Sequence, residues 1–283
     1  MVTAGYASQA VGAVETQPEE AAVFYLNGQP LQSVEAQCID GTYYVTLASV
    51  MNGIDPSAVV EESDHTATVT AEYTVVRESD AQSAQAVAEV LDTLTLTAAV
   101  GEKYLVANGR YLYAEDGIIT VCDEVAVPIR LLAKALNLDV DYDSETMQVL
   151  LTSGDQTGYL EDGDSYYNSD DLYWLSRIIS CESGNQSLTG KIAVGNVVMN
   201  RVASSKFPNT VYSVIFQKNQ FSPASSGSIK KSPNAESVVA AKLVLEGVTA
   251  LDGVLFFNRA GTSTYASRNR TYVATIGDHA FYA

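Results

Sequence analysis

The chain repeats itself, and a repeat limits the folds open to it more than any other feature of its 283 residues. Residues 23–73 contain FYLNGQPLQ, then DGTYYVTLASVM, then HTATVTA; residues 94–153 contain LVANGRYLY, DEVAVPIRLLAKAL and ETMQVLLTS in the same order. Asn27-Gly28 aligns with Asn108-Gly109 at an offset of 81, Val45 with Val127 at 82, and Thr66 with Thr146 at 80. Three anchors at a nearly constant offset mark a duplicated unit. Asn-Gly supplies the positive φ values of a two-residue hairpin turn. Each unit therefore reads as strand, Asn-Gly turn, two strands, a short helix and a final strand. In the second copy, Ile129, Leu132, Ala133 and Leu136 recur at helical spacing and Asn137 is a plausible stop. Residues 79–91 (SDAQSAQAVAEVL) read as a connecting helix. The expected organisation is a first repeat over 22–78, then the connecting helix and second repeat over 79–153, a Gly/Ser/Asp-rich linker over 154–170, and a further domain over 171–283.

Charge divides the chain at the same place. Residues 169–283 carry 11 Lys/Arg and 7 Asp/Glu, a net of +4, which leaves −22 for residues 1–168. A half this acidic is unsuited to nucleic acid, whose phosphates need clustered Lys/Arg. No apolar run approaches the roughly 18–20 residues of a membrane helix. Three cysteines and two histidines, with no CxxC, offer neither a disulfide framework nor a zinc site, so no metal or cofactor is expected. Whether Cys38 and Cys122 pair is left open. The first twenty residues lack the basic stretch and sustained apolar core of an intact signal peptide.

Chemistry concentrates after residue 168. Ser169 or Asp170 is the expected cap of a helix with acidic residues in its first turn, where they oppose the macrodipole. Leu172, Leu175, Ile178 and Ile179 form its apolar stripe, and Glu182 falls on that face at the helix end, before Ser183-Gly184-Asn185. Burial there raises a carboxyl pKa, as a glycosidic general acid requires. A merely solvated helix end has the same pattern. A second helix over 188–202 has Gly190 and Gly195 for close approach, and a third helix spans 236–251 before a strand at 254–257.

The second repeat, through VPIRLLAKALNLDVDYDSETMQV, resembles the copper amine oxidase N-terminal-like repeat; the first, with VTLASVM in place of VPLR, is a degenerate copy. That resemblance implies a stalk or wall-associated module without catalysis of its own. ISCESGN, GKIAVGNVVMNRV, KFPNTVYSVIFQKNQFSP, GVLFFN and IGDHAFY together resemble the SleB-type cell-wall hydrolases, which include spore-cortex-lytic enzymes. This implies an α+β chain: a lysozyme-like C-terminal catalytic domain, preceded by two β-rich stalk-type repeat units. It implies cleavage of peptidoglycan glycan strands at the MurNAc–GlcNAc bond, outside the cell or at the wall, with a signal peptide already removed. The catalytic glutamate of the family transfers onto Glu182. Cys181 and Ser183 replace its flanking alanines, and Gln186 stands where the family has a second glutamate.

Glycosidases usually pair two carboxylates. Besides Glu182 this half offers Asp170, Asp171, Glu236, Glu246, Asp252 and Asp278, of which Asp278 alone lies within a motif. A single-acid mechanism is therefore favoured, either lytic transglycosylase or muramidase in type. Gln220, Phe221, Ser222, Asn258, Tyr265, His279 and Tyr282 are the substrate-groove candidates, since aromatic faces, amides and hydroxyls suit N-acetylated sugars. Two other classes stay open: a non-catalytic wall-binding or spore-structural protein, and a thiol hydrolase built on Cys181 and His279.

Overall fold

A computed structural model describes residues 22–78, 87–154 and 158–283. The architecture is α+β, with a β-rich N-terminal body and a mostly helical C-terminal domain. In the first repeat, β1 (Val23–Leu26) and β2 (Gln29–Pro30) flank the first Asn-Gly turn. Then come β3 (Ala36–Ile39), β4 (Thr42–Thr46), α1 (Leu47–Ile54), β5 (Val59–Ser63) and β6 (Thr66–Glu78). After β7 (Val87–Ala99), the second repeat follows the same plan: β8 (Tyr104–Ala107), β9 (Arg110–Tyr113), β10 (Ile119–Val121), β11 (Glu124–Pro128), α2 (Ile129–Ala135), β12 (Leu138–Asp143) and β13 (Gln148–Ser153). Each unit thus holds two more strands than its sequence suggests. Both Asn-Gly turns have positive φ at both residues, 51° and 77° in the first and 48° and 76° in the second.

The repeats interlock. β1 and β2 of the first copy join β12 and β13 of the second in one sheet, of order β12-β13-β1-β2. The middle hairpins of both copies make a second sheet, β10-β11-β4-β3, in which Val127 faces Val45. The third, β5-β6-β7-β8-β9, takes the end of the first copy and the start of the second, so neither copy closes its sheets alone. One core runs through both, including Phe24, Val45, Leu47, Leu94, Leu132 and Leu151. This corrects the expected connecting helix: residues 87–91 run in β7, paired along its whole length with β6, and residues 79–86 lie outside the described residues. Over residues 87–91 helix propensity yields to a ladder of 13 residue pairs between β6 and β7.

The C-terminal domain comprises α3 (Gly163–Tyr166), α4 (Ser169–Ser183), α5 (Leu188–Ala203), α6 (Val211–Ile215), α7 (Ser222–Ser226), α8 (Ala235–Leu245), β14 (Phe256–Arg259), α9 (Tyr265–Asn269), β15 (Tyr272–Ile276) and β16 (His279–Tyr282). Helix α5 is central: every residue from Lys191 to Val198 is buried. At Gly195 a Cβ would stand 2.8 Å from Val244 Cγ2 and 3.0 Å from Ile179 Cδ1, so the missing side chain lets α4, α5 and α8 close together. The cap of α4 is Asn168 rather than Ser169 or Asp170; its Oδ1 accepts from the N–H groups of Asp170 and Asp171. The third helix is shorter than expected, Ala235–Leu245, because Glu246 and Gly247 turn away.

The stretch expected to be a linker is packed from Gly158 onward. Leu160 and Tyr167 are buried, and Gly163 sits against the second Asn-Gly turn, its N–H donating to the Asn108 carbonyl at 2.7 Å. At this junction Arg110 of β9 makes two parallel 2.8 Å bonds to Glu246 at the end of α8. The Tyr167 hydroxyl donates to the same carboxylate at 2.9 Å, and the Arg110 guanidinium lies 3.3 Å over the Tyr166 ring. Tyr104, Tyr111 and Tyr113 of the repeat pack on the C-terminal core. The two halves are joined by a buried, hydrogen-bonded contact.

Candidate active-site cleft

Glu182 lies in the last turn of α4, half-buried. The helix places Leu175, Ile178 and Ile179 in the core, and the same face carries the carboxyl inward. Burial pushes its pKa above the ordinary glutamate range. It opens into a cleft of about 500 Å³ lined by Arg201, Asn219, Gln220, Phe221, Ser222, Ser225, Phe257, Asn258, Arg259 and His279. Among these lining residues Glu182 is the one carboxylate.

The end of α5 builds the far wall. Asn200 Nδ2 donates to the Val254 carbonyl at 3.0 Å and Arg201 Nε to the Leu255 carbonyl at 2.8 Å, which fixes where β14 begins and so where Phe257, Asn258 and Arg259 stand. The Arg201 guanidinium, 4% exposed, lies 5.0–5.5 Å from the rings of Phe207, Phe221 and Phe256. Burial lowers its pKa to about 10, so it stays cationic at neutral pH. Opposite, Gln186 ties the turn after α4 to the β15–β16 turn: its Nε2 donates to Asp278 Oδ2 and its Oε1 accepts from the Asp278 N–H, both at 3.0 Å. Asp278 is thereby engaged with Gln186 beside the cleft, not within its lining. His279 is half-buried and edge-on to Phe257 at 5.2 Å. Burial lowers its pKa against the opposing pull of Asp278, which favours the neutral imidazole.

Of the groove candidates read from sequence, the structure brings Gln220, Phe221, Ser222, Asn258 and His279 around Glu182. Phe221 is 5% exposed and forms floor more than contact surface. Asn258 spends its amide on its own loop, donating to the Arg259 carbonyl and accepting from Thr264 Oγ1 at 2.7 Å. Tyr265 and Tyr282 stand apart from the lining. Tyr265 is exposed on α9, and Tyr282 is buried with Ala266 and Ala280. Both sit in sugar-suited residue types, but strand alternation and a helix turn carry them elsewhere. Arg201, Asn219, Ser225, Phe257 and Arg259 were not anticipated. Arg201 carried a usable signal, seven residues after Val194 on the buried face of α5.

The pairing of Cys181 with His279 does not form. The Cys181 thiol donates to the Ser228 carbonyl at 3.6 Å, outside the cleft lining, and burial raises its pKa. Among the described residues no group of three His, Cys, Asp or Glu side chains is placed to hold a metal ion. No helix among them is long and apolar enough to cross a membrane. A larger hollow of about 690 Å³ lies in the N-terminal body, between Tyr43, Tyr44, Tyr113 and Tyr142. Its acidic groups, Glu115 and Asp116, are both exposed, so it lacks the desolvated carboxyl that distinguishes the smaller cleft.

Residues 185–282 match the family model described as Cell Wall Hydrolase, starting just after Glu182, and residues 25–151 match the Copper amine oxidase N-terminal domain. Spore cortex-lytic enzymes are similar in sequence: one from Bacillus cereus is 31% identical over 119 residues, covering 41% of this chain and 45% of the relative. One from Bacillus subtilis is 27% identical, with 38% of that protein covered. The chain spans less than half the length of these curated relatives. Among solved structures, the catalytic domain of the germination-specific lytic transglycosylase SleB from Bacillus anthracis is 27% identical with a TM-score of 0.40, covering 44% of this chain and 100% of that one. The catalytic domain of the Bacillus cereus SleB protein is 30% identical with a TM-score of 0.39, covering 41% and 92%.

Proposed function

From the match of residues 185–282 to the Cell Wall Hydrolase family model, we propose that this chain degrades peptidoglycan by cutting its glycan backbone between MurNAc and GlcNAc. The observation that carries the reading is a single desolvated carboxyl, Glu182, beside a polar cleft.

A glutamic acid with a raised pKa keeps its proton closer to neutrality and can give it to the glycosidic oxygen as the C1–O bond breaks. The electron pair of that bond leaves with the GlcNAc oxygen, which takes the proton from Glu182. A second carboxylate, which paired-acid glycosidases use to meet the positive charge at C1, is not among the lining residues. The N-acetyl group of the substrate fills that role by closing onto C1. Glu182, now a carboxylate, accepts the proton of the C6 hydroxyl as that oxygen attacks C1, and a 1,6-anhydro end results. If water attacks instead, the product is an ordinary reducing end. Gln220, Ser222 and neutral His279 are placed to hold hydroxyl and acetamide groups. The wall is the site of action, which implies export of the protein.

Glu182→Gln preserves size and removes the transferable proton. The variant is expected to bind sacculi and release no soluble muropeptides. Mass spectrometry of the parent's products distinguishes the two outcomes, because an anhydro end is one water lighter. Full lytic activity in the variant refutes the assignment.

A further inference from the structure

A second feature of α4 is unused by the chemistry above. Trp174, the single tryptophan of the chain, is ringed by three aromatic side chains. Its ring centroid lies 4.8 Å from Tyr173, 5.4 Å from Tyr212 and 5.0 Å from Phe216, each close to edge-on. Tyr212 and Phe216 stack on each other at 4.4 Å and 27°. The outer rings of this cluster face solvent, Tyr173 43% exposed, Tyr212 51% and Phe216 36%, while Trp174 between them is half-buried and packs its inner side on the C-terminal core. The Arg177 guanidinium covers the Tyr173 ring at 3.6 Å. A contiguous aromatic patch on the surface is a recurrent mark of a binding site.

Its position relative to the cleft is set by covalent geometry. Eight residues of α4 separate Trp174 from Glu182, a rise of about 12 Å, and the two positions differ by only about 80° around the helix. Phe216 precedes Asn219 by three residues, so their Cα atoms are no more than about 11 Å apart. Asn219 and Gln220 line the cleft. The aromatic patch and the cleft wall are thus carried on neighbouring stretches of the same segment, with Lys218 exposed between them in the chain.

We propose that Trp174, Tyr212 and Phe216 form an outer sugar-binding platform that holds the peptidoglycan strand beyond the cleft. The inference rests on the proposed glycan-cleaving function and deepens it. Pyranose rings present a face of C–H bonds that packs on aromatic rings, and such stacking does not depend on the substituents of the sugar. The carboxylates of the wall polymer suit Arg177 and Lys218, and the C-terminal half as a whole carries net positive charge. A short fragment that fills only the cleft does not reach the platform; a long strand does.

That difference is the test. Trp174→Ala and, separately, Tyr212→Ala are assayed in the full chain on intact sacculi and on muropeptides just long enough to occupy the cleft. On sacculi, KM is expected to rise about five- to tenfold, the loss of one aromatic contact or slightly more. Turnover of the short fragments stays at the parent value, and Trp174→Phe restores the sacculus KM. In parallel, Glu182→Gln with and without Trp174→Ala is co-sedimented with sacculi, where the added substitution is expected to lower retention by the same factor. Tyr212 is half-exposed, so its variant reads the platform even if replacing Trp174 disturbs packing. Unchanged KM and unchanged retention in both variants overturn the proposal. Equal losses on short and long substrates also overturn it, since they mean a structural effect. Retention that depends on Trp174 in a parent that cleaves nothing keeps the platform and rejects the catalytic reading instead.

Discussion

The contact between Arg110 and Glu246 allows a prediction worked from the structure. Their side chains are 8% and 2% exposed, so the pair sits out of water. Its two parallel bonds use the planar match of guanidinium and carboxylate. Truncation by Arg110→Ala leaves the Glu246 carboxylate with the Tyr167 hydroxyl and with Lys134 Nζ at 3.8 Å, a lysine that is itself 52% exposed. An uncompensated buried charge costs about 3–5 kcal/mol, and the two surviving partners place this case near the lower end, about 3. With a urea m value of roughly 2 kcal/mol/M, the transition midpoint falls by about 1.5 M. Replacing both partners, Arg110→Met with Glu246→Leu, is expected to recover most of that, because no charge is left stranded. The assay is urea unfolding followed by Trp174 fluorescence, which reports the C-terminal domain, and by far-ultraviolet circular dichroism, which includes the strands of the repeats. In the parent the two signals are expected to coincide, since the halves share a buried contact. In Arg110→Ala they separate. A double-mutant coupling energy below about 1 kcal/mol, the range of exposed pairs, refutes the claim that this ion pair locks the halves together.

Three further outcomes follow from the same geometry. The raised pKa of Glu182 means the folded state binds a proton more tightly than the unfolded chain, so this group's contribution to stability is complete at acid pH and is lost as pH rises through its folded pKa. Glu182→Gln should therefore unfold at higher temperature than the parent at pH 8 and match it at pH 4; the opposite order rejects a desolvated carboxyl. Gly163→Ala brings a Cβ within 2.8 Å of the backbone carbon and oxygen of Gly109, which only chain movement can relieve, so a loss of about 1–3 kcal/mol in chemical denaturation is expected. An unchanged midpoint contradicts the close backbone approach. Iodoacetamide at neutral pH should modify Cys181 slowly and leave wall lysis intact, because burial disfavours its thiolate; lysis lost in step with Cys181 labelling would revive the thiol mechanism.

Much of the local structure was legible from residue order. The Asn-Gly turns, the α2 helix with Asn137 at positive φ, and α5 from residue 188 follow rules of period and turn chemistry. The expected helix gives way to strand over residues 87–91 because that short run has no local sign that a long partner strand awaits it. At the cleft, Glu182 was visible as a carboxyl on an apolar face. Tyr265 and Tyr282 were attractive by residue type alone, and their direction depends on how α9 and β16 pack.

By itself the sequence determined the duplication, the split in charge, and the placement of one acid at the end of an apolar helix face, since these depend on spacing along a chain. Only the tertiary structure decided that the two repeats exchange their first hairpins and share a core. It also decided that Arg110 meets Glu246 across 136 positions, and which side chains converge on Glu182. Such pairings join residues far apart in the chain, and the burial that selects them exists only once the layers have closed.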